Sequence, residues 1–353
     1  MNNLTETEFP KIITLTVTNR CNLRCKTCAQ WSERGYMHTT KTHGSYGGTP
    51  VPYHYFQNVV DEAHKYGASV TIRGGEPFLY SHIIDLLAYI KSKGMYASVE
   101  TNGTLLKKHA ESLAKIKLDS LLISVDGPED IHDYARGVKG AFSQIREGLE
   151  EITRYESEYG HKIHRGITYT LSGYNYLGLG EMPDVARSLD CDTICIIPFC
   201  YIPEKQGLAY EQLMNKQFSS KAFSWRGFHH ETSGVDVKKL VEQLKIFKSK
   251  LHDLKSYPYM DFTEDEYREW FTTCDTAVRQ SECNNIHSLL DVQPDGTVNF
   301  CIDFPDYAIG NIGTDTLYQI WHSERARQFR HLRANKEMPI CYRCASKYLG
   351  FIR

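Results

Sequence analysis

The chain has 353 residues, with 41 Lys and Arg against 43 Asp and Glu, a net charge of −2, 24% charged and 41% apolar side chains. This is the balance of a globular protein with room for about two domains, and its near-zero charge provides no overall electrostatic footprint for nucleic acid. No apolar run approaches the ~18–20 residues of a spanning helix, and the polar, acidic start from Met1 to Pro10 is no secretory signal, so a membrane span and a secreted disulfide miniprotein are excluded and a cytoplasmic location is expected.

Lys11 to Thr18 alternates as a strand and ends just before Cys21. Ser32 to Pro52, rich in Gly, Thr, His and Tyr, has the length of a functional loop. His38, His43 and His54, in or just after it, are candidates to reach a substrate. From Tyr53 to Tyr66 the spacing of Phe56, Val59, Val60 and Ala63 predicts a helix stopped by Gly67. A strand at Ser69–Arg73 and a helix carrying Ile83, Leu86, Leu87 and Ile90 follow. Then come a strand at Tyr96–Thr101, a helix around Leu105–Ile116 and a strand at Ser120–Val125. A helix through Phe142, Ile145, Leu149 and Ile152, a strand at Gly166–Thr170, a helix through Met182, Val185 and Leu189, and a strand at Thr193–Ile197 complete the series. Six strands separated by helices predict a parallel sheet, and six units predict an α/β partial (β/α)6 TIM-type barrel.

The expected division is a barrel core over 1–202, a charged and mostly helical connector without strands over 203–272, and a small α+β unit over 273–353. In the last, Leu289–Val292, the turn Pro294-Asp295-Gly296 and Val298–Ile302 predict a hairpin, and a single helix is expected from Leu317 to Leu332. Arg325, Arg327, Arg330 and Arg333 are read as that helix's solvated face.

Eleven cysteines are too few for a disulfide scaffold, and an odd count without a signal peptide predicts metal ligands. Cys21, Cys25 and Cys28 form CxxxCxxC just after the first strand. Three thiolates can hold three corners of a cubic iron–sulfur cluster, leaving one iron open, where plain clusters use four. A zinc site would want four ligands, commonly in CxxC pairs. The loop lies at the C-terminal end of a barrel strand, where barrel enzymes build active sites.

With Gly74-Gly75-Glu76-Pro77 after the second strand, Thr101-Asn102-Gly103 after the third, and Ser124-Val125-Asp126-Gly127-Pro128 followed by His132 and Arg136 after the fourth, the chain resembles the radical S-adenosylmethionine (radical SAM) superfamily over roughly residues 10–200. The resemblance implies a [4Fe-4S] cluster on Cys21, Cys25 and Cys28 and bound S-adenosylmethionine. It assigns the backbone of the Gly74, Gly75, Glu76 and Pro77 turn to the methionyl ammonium, Ser124 to a contact with the cofactor, Arg136 to its carboxylate, and Ile197 to the neighbourhood of the adenine. Two glycines remove side chains that would block a close approach, and a guanidinium fork suits a carboxylate. Thr27 stands where relatives often have an aromatic residue, so a stacking role there does not carry over.

Cys283 and Cys301, with Gly296 between them, and then Cys341 and Cys344 form CX17C with an internal GX4C, followed by CX2C. A four-cysteine zinc knuckle would use the same ligand set. The pattern resembles the SPASM or twitch auxiliary domains, which implies one auxiliary [4Fe-4S] cluster on these four residues, with Cys274 as a spare. Cys191, Cys195 and Cys200 are read as packing residues. The resemblance implies an enzyme that cleaves S-adenosylmethionine to a 5′-deoxyadenosyl radical and abstracts hydrogen from a C–H bond, most simply in a net oxidation. Partners would be a flavodoxin- or ferredoxin-type electron donor and a small molecule or peptide. The positions of Cys21 and Cys344 near the two ends leave no stretch for a leader-binding domain, which tilts the expectation to a small molecule, or to a peptide delivered by a separate protein. Alternatives are a peptide maturase or epimerase of the same superfamily, and a non-catalytic Fe–S or zinc scaffold.

Overall fold

The computed structural model describes residues 7–37, 49–258, 262–279, 283–335 and 337–348; His38 and His43 lie outside them. In chain order the elements are β1 (Ile12–Thr16), α1 (Tyr53–Tyr66), β2 (Ser69–Arg73), α2 (Ile83–Ser92), β3 (Ala97–Thr101), α3 (Leu106–Lys115), β4 (Ser120–Ser124), α4 (Glu129–Arg136), α5 (Ala141–Tyr159), β5 (His164–Leu171), α6 (Met182–Ser188) and β6 (Thr193–Pro198). They continue as α7 (Glu204–Phe218), α8 (Val237–Ser249), β7 (Lys255–Pro258), α9 (Glu264–Thr272), α10 (Asn285–Ser288), β8 (Leu289–Val292), β9 (Thr297–Asn299), β10 (Gly310–Asn311), α11 (Leu317–Trp321) and α12 (Glu324–Asn335). Helix α1 buries the four expected residues and ends where Gly67 takes φ 69°, the left-handed conformation glycine reaches without strain. Among the described residues no helix is long and apolar enough to cross a membrane.

All these strands join one ten-stranded sheet in the order β10-β9-β8-β1-β2-β3-β4-β5-β6-β7. Neighbours from β1 to β7 pair in parallel, as a partial barrel requires. Alternation sorts the sheet into two faces. Ile13, Leu15, Val70, Ile72, Val99, Leu121, Ile123, Ile167, Tyr169, Ile194 and Ile196 are buried in the core with the helices. The register places Thr71, Ser98, Ser120, Ser124, Thr168, Thr170, Cys195 and Ile197 on the other, inner face. Toward the strand ends this face is half-buried and polar, including Arg73 and Glu100.

Three expectations need correction. The stretch 203–272 contains a strand, since β7 pairs in parallel with β6; its sequence KSYP has no apolar alternation, and it takes an edge position, where Pro is tolerated. The expected helix 317–332 breaks after Trp321, because Ser323 Oγ accepts from the Ala326 N–H at 3.1 Å and caps α12. The hairpin does not stand apart from the barrel: β8 pairs in parallel with β1, Leu290 opposite Ile13 and Val292 opposite Leu15. Its second strand also stops at Asn299, short of Cys301.

Candidate active site and its two cysteine sets

The loop from Val17 to Cys28 leaves β1 at its C-terminal end and is clamped from three sides. The Gly75 and Glu76 N–H groups donate to the Thr18 and Arg20 carbonyls, both at 2.7 Å. A Cβ on Gly75 would lie 2.4 Å from the Arg20 carbonyl oxygen, and one on Gly74 2.6 Å from that of Thr18. Neither glycine has a positive φ, so the side chains are missing here to admit the cluster loop. From the α4 side, Arg24 and Lys26 N–H groups donate to the Arg136 and Ala135 carbonyls. From β3, Asn102 Nδ2 donates to Asn22 Oδ1 at 2.9 Å, and Asn22 Nδ2 donates to Thr104 Oγ1 at 2.9 Å. The Thr101-Asn102-Gly103 motif is therefore a loop fastener.

Each of the three sulfurs accepts a donor. Leu23 N–H lies 3.4 Å from Cys21 Sγ, Trp31 N–H 3.3 Å from Cys28 Sγ, and Arg136 Nη1 3.7 Å from Cys25 Sγ. Burial pushes all three thiols up, Cys28 to about 11, and their mutual proximity adds to the shift for Cys21 and Cys28. Sulfurs that are desolvated yet supplied with donors suit thiolates bound to a cationic centre, so the set fits an iron–sulfur cluster.

Glu76 is fully buried and turned inward: Oε1 accepts from Phe78 N–H and Thr101 Oγ1, and Oε2 from Asn102 N–H. Burial pushes its carboxyl up against these three donors. Any contact of Glu76 with a bound amino acid would therefore use its backbone, while Pro77 opens the short buried turn that follows. Ser124 Oγ lies 3.3 Å from Thr168 Oγ1 at the end of β4, Thr27 is half-buried in the cluster loop, and Ile197 is half-buried on the inner face of β6. Arg136 is buried, its Nε paired with Asp126 Oδ2 at 2.9 Å, while Asp126 Oδ1 accepts from the Thr170 N–H at 2.9 Å. Asp126 thus anchors the guanidinium that faces Cys25.

Cys283, Cys301, Cys341 and Cys344 are neighbours: burial first, then the other three, pushes the Cys301 thiol well above its ordinary value, and burial lifts Cys341 to about 11. The Arg333 guanidinium is close enough to Cys341, Cys283 and Cys301 for them to favour its charge against the cost of burial. This donor set fits a second cluster. Among the described residues no three His, Cys, Asp or Glu side chains converge tightly enough to hold a single ion. Cys274 lies against the Tyr201 hydroxyl on the wall of a cleft of about 730 Å³. The arginine run is only partly a solvated face: Arg330 is buried over the Trp321 ring and donates to the Ile286 and Trp321 carbonyls. Cys191 and Cys200 are buried, but Cys195 lines the inner face, close enough to Glu100 across the barrel to be felt by it. His54 is exposed at the start of α1.

Between the two cysteine sets the inner face carries residues that the motifs did not point to. Asp291, on β8, is 0% exposed, accepts from Thr16 Oγ1 at 3.3 Å and from Gln293 Nε2, and faces Arg73. Asn299, opposite Asp291 in the hairpin, is 1% exposed, and among the described residues neither its Oδ1 nor its Nδ2 has a partner. Only the period-two polar pattern of the strands could have flagged this face. Burial raises the Asp291 carboxyl to about 7, with Arg73 opposing. Because the folded chain then holds a proton that the unfolded chain releases, stability falls as pH rises from about 4 to about 7. Asp291→Asn is expected to flatten that fall in a thermal-unfolding series from pH 5 to pH 8; equal slopes for both proteins would refute it.

Residues 15–176 match the profile described as the Radical SAM superfamily, and residues 283–345 match SPASM, described as an iron-sulfur cluster-binding domain. The chain is 23% identical over 350 residues to a tungsten-containing aldehyde ferredoxin oxidoreductase cofactor-modifying protein of Pyrococcus furiosus, covering 95% of this chain and 87% of that one. It is 23% identical to the antilisterial bacteriocin subtilosin biosynthesis protein AlbA of Bacillus subtilis, covering 97% and 68%. Against Fe-coproporphyrin III synthase of Methanosarcina barkeri, 27% identity extends over 57% of this chain and about half, 47%, of that relative. In fold, SuiB of Streptococcus suis superposes with a TM-score of 0.64 at 16% identity, over 96% of this chain and 72% of SuiB. AdoMet-bound anSMEcpe superposes with 0.60 at 18% identity, over 96% and 87%. At these identities the structural likeness is one of fold.

Proposed function

The chain belongs to the radical SAM superfamily, with a C-terminal SPASM iron–sulfur domain, and from that premise we propose that it carries out a net oxidation of a peptide held on the inner face of its barrel. The cluster and S-adenosylmethionine, when bound, supply a 5′-deoxyadenosyl radical able to take hydrogen from an unactivated C–H bond; the protein's part is orientation and exclusion of side reactions. Cys21, Cys25 and Cys28 would hold the first cluster, and Cys283, Cys301, Cys341 and Cys344 the auxiliary one. The backbone of Gly74 to Pro77, with Thr27, Ser124, Arg136 and Ile197, would hold the cofactor.

Asn299 carries the choice of substrate. A buried carboxamide left unpaired costs on the order of 1–3 kcal/mol per group, and its adjacent donor and acceptor match a secondary amide. Its strand leads directly to Cys301, so a peptide bond held there would lie beside the auxiliary cluster, the natural acceptor for the second electron of an oxidation. The tilt toward a small molecule rested only on where the cysteines fall along the chain; Asn299 shifts it toward a peptide. Two relatives in fold point the same way: SuiB has been solved bound to precursor peptide SuiA and anSMEcpe with the Kp18Cys peptide. A reducing, cytoplasmic compartment suits eleven cysteines with no disulfide among them.

Anaerobic reconstitution should load about eight irons, four per cubic cluster, and yield 5′-deoxyadenosine with reductant and S-adenosylmethionine. A synthetic peptide library should contain members that lose two hydrogens and stimulate turnover. Asn299→Leu should keep both clusters and the unstimulated 5′-deoxyadenosine, yet lose peptide stimulation at least tenfold; unchanged stimulation would remove the amide contact. Epimerisation is a second reading, favoured by the Cys195 thiol on the inner face as a hydrogen-atom donor. It requires deuterium from heavy water in the product and its loss with Cys195→Ala.

A further inference from the structure

We propose that the outer face of the CxxxCxxC loop, with the turn after α4, is the docking surface for an acidic one-electron carrier protein. The proposal rests on the radical SAM reading, which requires an electron to reach the first cluster. Residues 19–37 carry Arg20, Arg24, Lys26 and Arg34 against one acid, Glu33, whereas the rest of the chain holds more acid than base. Lys139 joins them, because the Arg24 carbonyl packs against Gly137, two residues before it. Arg20, Arg24, Arg34 and Lys139 are exposed and Lys26 is half-buried.

What these five cations touch is the decisive observation. Some exposed cations elsewhere pair with carboxylates, as in Lys107–Glu147, Arg154–Glu151 and Lys250–Asp184, and others, such as Lys108, Lys115 and Lys238, stand singly among the described residues; what sets these five apart is that they cluster around one loop. Among the described residues none of the five forms an ion pair. Three of them are held by neutral groups instead. Arg24 Nη1 donates to the Cys21 and Leu23 carbonyls at 3.1 and 2.7 Å, with its guanidinium 4.8 Å from the Trp31 ring centre. Lys26 Nζ lies 4.5 Å from the Tyr134 ring centre and 5.8 Å from that of Tyr174. Arg34 Nη1 donates to the His229 carbonyl at 3.3 Å. Carbonyls and ring faces fix the position of a cation without cancelling its charge, so the patch keeps its field. Tyr134, 57% exposed, adds the aromatic contact that interfaces favour.

The position suits the partner. Arg24 hydrogen-bonds the carbonyl of Cys21, so a protein seated on the patch would rest on the loop whose three cysteines would hold the first cluster. One electron would pass from the carrier's flavin hydroquinone, leaving its semiquinone, and the cluster would go from the 2+ to the 1+ state. Charge complementarity of this kind acts mainly on encounter rate and is screened by salt.

The test is stopped-flow reduction of the reconstituted, cluster-loaded enzyme by two donors of opposite charge, flavodoxin hydroquinone and the methyl viologen radical cation. The triple variant Arg20→Glu, Arg34→Glu, Lys139→Glu leaves the cysteines and their hydrogen bonds intact. It should slow reduction by flavodoxin at least tenfold and abolish that rate's salt dependence, with the viologen rate unchanged or faster. An unchanged flavodoxin rate would overturn the proposal, as would equal slowing with both donors. So would salt-sensitive binding of a single-stranded RNA oligonucleotide lost in the variant while flavodoxin reduction is unaffected, since the patch would then serve nucleic acid. If the viologen fails to reduce the wild-type enzyme, the cluster assignment itself falls.

Discussion

Gly75→Ala is expected to remove the first cluster while sparing the second, so that reconstitution yields about four irons per chain instead of about eight and 5′-deoxyadenosine formation drops at least a hundredfold. The added methyl group would meet the Arg20 and Asn19 carbonyl oxygens at 2.4 and 2.6 Å, far inside contact distance and against backbone, which has no rotamer to escape into. The loop cannot step aside cheaply, because the neighbouring N–H groups of Gly75 and Glu76 hold the Thr18 and Arg20 carbonyls. Overpacking of this kind costs about 1–3 kcal/mol, which a core of this size tolerates; what it displaces is the frame that sets Cys21, Cys25 and Cys28. Gly160→Ala is the control, since its Cβ would meet nothing within 4 Å and only its φ of 63° is strained. Iron and sulfide analysis with circular dichroism decides the matter: eight irons in folded Gly75→Ala would show that the loop has more room than its contacts indicate.

Arg136→Met is expected to destabilise the chain by about 3–5 kcal/mol, the usual consequence of stripping a buried carboxylate of its cation. Among the described residues Asp126, 1% exposed, has only the Arg136 guanidinium and the Thr170 N–H to offset desolvation, and burial already raises its carboxyl. With the arginine gone, that carboxyl would rise further, so the variant should regain stability as pH falls and Asp126 takes up a proton, and lose it as pH rises. Adding Asp126→Asn should restore much of the loss, which urea unfolding of the four proteins of a double-mutant cycle would measure. Additive effects would deny the coupling. Arg136→Lys keeps a charge but not the fork that reaches Asp126 and Cys25 together, so its S-adenosylmethionine affinity and cluster potential separate a cofactor contact from a purely structural role.

The strands and helices of the first two hundred residues were legible because each has a clean period. Helix α1 shows its four apolar positions in the sequence, and β2 and β6 show theirs. The cluster loops were legible too, since cysteine and glycine spacing is local. The reason for the glycines was not: Gly74 and Gly75 look like space for a ligand, and their missing side chains admit residues 18–20 of the loop that follows β1. Nor did any spacing announce that the Glu76 side chain is an internal strut between β2 and β3. Asp291 and Asn299 carry no motif at all, and Ser323, by capping α12, broke a helix whose apolar spacing alone ran unbroken.

By itself the sequence determined what local chemistry determines: an alternating α/β order, two sets of cysteines at cluster spacing, and the loops that follow each strand. Those features depend on residues a few positions apart. Only the tertiary structure decided that the C-terminal hairpin is sewn onto β1, that β7 extends the sheet beyond β6, that Arg136 is tied to Asp126 and Cys25, and that, among the described residues, five cations around the cluster loop form no ion pair. Each depends on residues brought together from tens to hundreds of positions apart, where backbone hydrogen bonds between strands and the cost of burying charge choose the partners, and neither leaves a spacing in the chain.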